Sequence, residues 1–524
     1  MAGGRRKAAR GEAGGRIDPV GNLPDEIVPH IISLLPTVEA VRMGLILPLP
    51  YVWKCLRDLS FDECDLHVCP TRSGYVPDKD IARFVNFIDR VLALHDGPAI
   101  DRFCLKTNLN VIIGESIPGW IDLALSKKVK TMDLDLQGCS KDRERHLLQR
   151  FPVSMRGCHL VELSLTYCEV REVRFESLRK LKLALAGVVR EQTMADIFAG
   201  CPCLEELSLR GMILKHLTVP KNHPLKRLLA EIDQLETLDL ECSEVKALTM
   251  VASPRLMKLN CPPSMTKLDI SGHIHNLLLK GTGSVNDAAI RLWTTTHNGL
   301  PICLYHSPSH GCKPIAQGEF LNVKLLLEML RHSSRSELGT WVFLVILIWE
   351  IKERPSPSYE WKQVTVSLGL TKWIKPGIRW LLRQCNRLET LTVYFYPCNQ
   401  KNLKYFSDKM REGYNLEEGS CGSLFEPIQY SCLENRLRKV TVEGCVTDPF
   451  AIQFIAFILG RALSLKEMVI SARKNRGDLG DRSLPLVDKI QLKKECRVQD
   501  LSPEFRQQIL TIPKVARSAV INFK

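Results

Sequence analysis

One recurring phrase dominates the order of apolar and polar residues along this chain. Apolar residues three and then two positions apart stand at Val129-Met132-Leu134, Leu160-Leu163-Leu165, Leu178-Leu181-Leu183, Leu204-Leu207-Leu209, Leu235-Leu238-Leu240 and Leu388-Leu391-Val393. The alternation that ends each phrase predicts a short β-strand with one buried face, because successive strand side chains point to opposite sides. Between residues 204 and 280 the apolar anchors come faster, at Leu204, Leu214, Leu225, Leu235, Val245, Leu256, Met265 and Ile274. A step of about ten residues leaves room for a strand and a turn but no helix, so coils with a strand on both faces are expected there. Pro202, Pro220, Pro224, Pro254, Pro262 and Pro263 fall in the intervening turns, where a missing N–H does no harm.

Helical periods frame this section. Ile81, Phe84, Val85, Ile88, Val91 and Leu92 share one helix face, and Asp96-Gly97-Pro98 ends that helix ahead of an alternating strand at 100–105. Residues 285–365 break the rhythm, with a helix expected at 321–330 and an exposed Pro/Ser-rich loop at 354–359. A helix at 373–382 restores it, and a strand, an apolar helix and a second strand are expected within 432–444, 449–463 and 465–470. Near the start, Leu23-Pro24-Asp25-Glu26-Ile27 opens another helix, closed by Pro36. Pro24 suits a first turn, Asp25 and Glu26 complement the positive end of the helix dipole, and Ile27, Ile31, Leu34 and Leu35 share a face.

That opening helix, followed by Leu35-Pro36-Thr37 and Glu39-Ala40-Val41-Arg42, then Tyr51-Val52-Trp53 and Leu59-Ser60-Phe61-Asp62, resembles the F-box of plant F-box proteins that carry leucine-rich repeats. The recurring phrase is similar to the strand segment of such repeats, and residues 425–472 resemble the FBD domain that ends many of these proteins. The resemblance implies an α/β architecture: a small helical F-box module, a leucine-rich-repeat solenoid and a C-terminal α/β FBD-like cap. Its expected limits are a disordered basic tail at 1–15, the module at 16–62, the solenoid at 80–424 with an irregular insertion at about 285–365, and the FBD-like region at 425–524.

The same resemblance implies a non-catalytic substrate-receptor subunit of an SCF-type cullin-RING E3 ubiquitin ligase. Leu23, Pro24, Ile27, Ile31, Leu35, Pro36 and Val41 would dock a Skp-type adaptor, and through it a cullin, while the repeats would recruit a protein substrate. The chain departs from the pattern at Ile46-Leu47-Pro48-Leu49-Pro50-Tyr51. Two prolines one residue apart cannot lie inside a regular helix, so residues 46–51 are expected to be non-helical, with Trp53 still buried, near Ile27 or Ile31. These prolines and Pro29 support an alternative, a leucine-rich-repeat scaffold whose decayed F-box binds a partner without ubiquitination.

Composition narrows the field further. The 524 residues are 45% hydrophobic and 25% charged, an ordinary globular balance too long for one small domain. The longest apolar run, Trp341 to Trp349, is about half of what a membrane helix needs, so no membrane association is expected. Arg5, Arg6, Lys7 and Arg10 have no apolar segment behind them, which excludes a secretory signal, and nineteen scattered cysteines fit reduced thiols. Nucleus or cytoplasm is the expected location. The net charge of +14 raises nucleic acid as a partner, but basic and acidic residues alternate along most segments and no nucleic-acid-binding signature accompanies them.

No nucleophile elbow, phosphate loop, dinucleotide fingerprint or zinc-protease helix occurs, so neither catalytic residues nor a cofactor are expected. Cys303, His306, His310 and Cys312 are the one group with metal-ligand chemistry. Their spacing is tighter than zinc fingers use and Pro308 stiffens the segment, so a polar surface loop is expected and no metal site.

Overall fold

A computed structural model of the chain describes residues 27–46, 52–66, 76–107, 113–136, 149–150, 159–169, 174–184, 191–292, 358–369, 374–396, 429–472 and 501–524, with short gaps in the longest stretch, and parts of 294–350. These form two compact units, residues 1–167 and 168–524.

In the first unit, helices α1 (Ile27–Ser33) and α2 (Thr37–Ile46) precede strand β1 (Asp58–Asp62), helix α3 (Asp78–Ala93), β2 (Arg102–Lys106), α4 (Ile117–Ser126), β3 (Thr131–Asp135) and β4 (Glu162–Thr166). The four strands pair in parallel, in one register. Leu59, Phe103, Met132 and Leu163 form one buried ladder and Phe61, Leu105, Leu134 and Leu165 the next, so alternate side chains of each strand fill the space under the helices. Leu59-Ser60-Phe61-Asp62, which the sequence pattern groups with the helical module, is thus the first strand of the sheet. Its Leu-x-Phe alternation matches the buried faces of its neighbours. Above it, α3 buries Ile81, Phe84, Ile88, Val91 and Leu92.

The second unit repeats this arrangement at greater length. Strand β5 (Lys180–Ala184) and helix α5 (Glu191–Gly200) lead into the ten-residue rhythm: β6 (Glu206–Met212), β7 (His216–Thr218), β8 (Arg227–Ile232), β9 (Thr237–Asp239), β10 (Ala247–Ala252), β11 (Lys258–Asn260), β12 (Lys267–Gly272) and β13 (Leu278–Lys280). The strands alternate between two parallel sheets, β6-β8-β10-β12 on one face and β7-β9-β11-β13 on the other, as the short step demands. Leu207, Leu228, Leu248 and Leu268 line up within one sheet, and Leu217, Leu238, Leu259 and Leu279 within the other. The turns stack as well: the N–H of Lys226 donates to Glu205 O, that of Lys246 to Lys226 O and that of Thr266 to Lys246 O, at 2.8–2.9 Å. Of the six prolines named above, those described lie outside the strands.

The first sheet carries on through residues 285–365, where the motif is lost. Strands β14 (Asp287–Leu292), β15 (Arg335–Leu338) and β16 (Gln363–Gly369) join it in parallel. The ladder positions there are Ala288 and Ile290, Ser336 and Leu338, and Val364 and Val366, so small and β-branched residues keep the strand while hiding the leucine phrase. Helix α6 (Ile374–Gln384) leads to β17 (Thr390–Tyr396), and α7 (Ser431–Asn435) to β18 (Lys439–Gly444). Helix α8 (Pro449–Arg461), strand β19 (Glu467–Ser471), helix α9 (Pro503–Leu510) and strand β20 (Val520–Phe523) complete the unit, all these strands extending the same parallel sheet. The expected strand–helix–strand order at 432–470 is therefore present, as two further coils. Gly444 ends β18 at φ +89°, where a side chain would strike Phe395 O, so the turn needs glycine.

Candidate functional site

Helices α1 and α2 meet at Pro36. The Thr37 hydroxyl accepts a hydrogen bond from the Ser60 N–H at 2.7 Å, which ties the start of α2 to β1. Ile32, Val38, Ala40, Trp53 and Leu56 are buried and form the core of this small assembly. A Cβ at Gly44 would collide with the Trp53 ring, so glycine lets the indole lie against α2. Trp53 is buried as expected, and its ring lies against Gly44 of α2.

That outer face is open. Ile27, Ile31 and Leu34 are 44%, 40% and 73% exposed and follow one another at steps of a helical turn, while Ile32 points inward at 1%. Of the expected docking residues, Ile27, Ile31 and Pro36 are exposed and Leu35 and Val41 are half-buried; Leu23 and Pro24 lie outside the described residues. Leu34, visible in the helical period but left out of the expected docking set, is the most exposed of the three. Helix α2 ends at Ile46, and Leu47 to Tyr51 lie outside the described residues.

The second candidate surface is the solvent face of the parallel strands, where charges are largely matched across neighbours. Arg227 pairs with Glu206, Lys267 with Asp287 at 3.6 Å and Lys439 with Glu467 at 2.7 Å. Arg291 lies between Asp269 and Glu337, all about four-fifths buried. Burial pushes the Glu337 carboxyl above its ordinary range, opposed by the Arg291 charge. In the first unit, partial burial would raise Asp62, but the Cys64 N–H and the Lys106 ammonium, 3.0 Å away, hold it below the usual value. Alternating, paired charge makes this a solvated face on which cations and anions are largely balanced.

Among the described residues no group of three or more His, Cys, Asp or Glu side chains is arranged to hold a metal ion. Cys303, His306, His310 and Cys312 lie outside them. The described cysteines are free thiols, and desolvation pushes Cys261 and Cys432 up to about 12, which makes them inert core residues rather than nucleophiles. No described helix is long and apolar enough to cross a membrane.

No family model matches the chain. Individual proteins do. An F-box/LRR-repeat protein of Arabidopsis thaliana is 25% identical over 469 residues, covering 87% of this chain and 86% of its own, and another is 24% identical over the same share of this chain and 88% of its own. A third, named for F-box, FBD and LRR-repeat segments, is 28% identical over 207 residues, 37% of this chain and 42% of its own. The chain is a homologue of Arabidopsis F-box/LRR-repeat proteins. The stacked parallel coils are the repeat part of that name, and in this F-box/LRR-repeat homologue they continue through the C-terminal α/β segment without a change of sheet.

Proposed function

We propose that the protein is the substrate-receptor subunit of an SCF-type cullin-RING ubiquitin ligase, acting without catalytic residues of its own in the nucleus or cytoplasm. The carrying observation is the stripe Ile27–Ile31–Leu34: an apolar helix face left to solvent while the opposite side of the same helix is buried. Exposed contiguous apolar surface on a folded chain marks a partner site. Homology to proteins named for an F-box supports a Skp-type adaptor as that partner, with Leu23, Pro24, Leu35, Pro36 and Val41 completing the contact and the strand face left for a protein substrate. Holding the substrate near the ubiquitin-loaded enzyme raises its effective concentration, which is the receptor's whole contribution.

Binding of the full chain to a purified Skp-type adaptor tests the reading. Alanine at both Ile27 and Ile31 removes two side chains worth roughly 1.5–3 kcal/mol each on burial, so affinity should fall at least about tenfold. Unchanged affinity would move the interface elsewhere. Pro29, Pro48 and Pro50 in the sequence favour a second reading, a repeat scaffold with a decayed F-box. Absence of adaptor binding by the parent chain would select it.

A further inference from the structure

Helices α3 and α4 of the first unit border a groove of 310 Å³. Buried Leu92 and Trp120, half-buried Leu123 and the exposed Asp89 and Glu115 line it. The Trp120 indole N–H donates to Asp89 Oδ1 at 2.7 Å and so holds that carboxylate at the groove. Among the described residues neither Asp89 nor Glu115 has an ion-pair partner, in a chain of net charge +14. At Gly119, which also lines the groove, an added Cβ would meet nothing within 4 Å, so the approach is open.

We propose that this groove seats the side chain of an arginine from an exposed segment of a partner protein. The methylene stem would cover Leu92 and Leu123, as long cationic side chains do on apolar surface. The guanidinium would sit between Asp89 and Glu115 beside the Trp120 ring. A planar, weakly hydrated guanidinium suits this combination, since it pairs with carboxylate oxygens through a fixed fork of donors and is attracted to aromatic rings. The volume is at the lower limit of small-molecule pockets and fits one long side chain rather than a compact ligand. The site lies on different helices from the α1 stripe and stands whether or not an adaptor binds there.

The test uses the full chain and N-acetyl-arginine amide at millimolar concentration, followed by saturation-transfer NMR. Signal transfer to the arginine methylenes is expected, and N-acetyl-citrulline amide, which keeps the shape and lacks the charge, should bind at least about tenfold more weakly. Gly119→Phe, which has room outside the helix and should melt like the parent, is expected to abolish the transfer by filling the approach. The pair Asp89→Asn and Glu115→Gln, which preserves the Trp120 hydrogen bond, should weaken it at least about tenfold. Equal binding of the citrulline compound, or full transfer in a folded Gly119→Phe variant, would overturn the assignment.

Discussion

Helices α1 and α8 are both apolar segments opened near a proline, and they end in opposite environments. In α8, capped by the Asp448 carboxylate accepting from the Phe450 N–H at 2.8 Å, Ala451, Phe454, Ile455, Phe457, Ile458 and Leu459 are all buried. Phe454 packs edge-on to Phe395 of the neighbouring strand, with ring centroids 5.8 Å apart. In α1, seven residues long, Ile27 and Ile31 face solvent, as does Leu34 just past its end, while Ile32 is nearly inaccessible. Composition does not separate the two. What separates them is whether a sheet coil lies beneath enough of the helix surface to cover it, and α1 lacks such cover on one side.

The comparison is broken most sharply where burial is deepest. Leu207→Asp places a charge in the ladder between Leu181 and Leu228, and the thermal unfolding midpoint of the full chain should drop by the equivalent of several kcal/mol. A variant that melts like the parent would show that this register is wrong. Phe454→Ala in α8 should cost about 3–5 kcal/mol, read from chemical denaturation of the second unit, because it removes an aromatic ring from a packed core.

A smaller effect is expected from His223, buried beside Phe198 at 5.0 Å between ring centroids. Burial holds its imidazole below the ordinary value, against an opposing influence of the backbone at Cys201 and Phe198. The unfolded chain therefore takes up this proton first, and stability present above about pH 6.5 is lost as pH falls toward the folded-state value. Melting curves between pH 7 and pH 5 should show a decline that His223→Gln reduces; an identical decline in both would remove His223 as its source. The smallest effect belongs to α1. Leu34→Gln should leave the melting behaviour within about 0.5 kcal/mol of the parent, since the side chain is 73% exposed. A larger loss would mean that the α1 face is covered within the chain and is not a docking surface.

Much of this fold was legible because the solenoid's rule is local. Where leucine fills the ladder, as at Leu204-Leu207-Leu209, the phrase announces the strand, and the ten-residue step announces the second sheet. The strands at 335–338 and 363–369 were hidden because Ser336, Val364 and Val366 satisfy the same inward positions without spelling the phrase. The docking helix was legible as an apolar face, yet its period could not distinguish Ile32, which is buried, from Ile31, which is exposed. The α3–α4 groove left no signal at all, since Asp89 and Glu115 belong to separate elements and ordinary solvated charges look the same in sequence.

The sequence by itself determined the parallel coils, their two-faced stretch and the apolar character of α1, because each depends on side-chain spacing within one short segment and on the limited reach of a strand or a helical turn. Tertiary structure decided that Leu59 and Phe61 start the sheet, that the Trp53 ring lies against Gly44, and that Ile27, Ile31 and Leu34 remain uncovered. Those outcomes depend on which surfaces distant segments bring together. Burial is a property of that assembly, so no local pattern contains it.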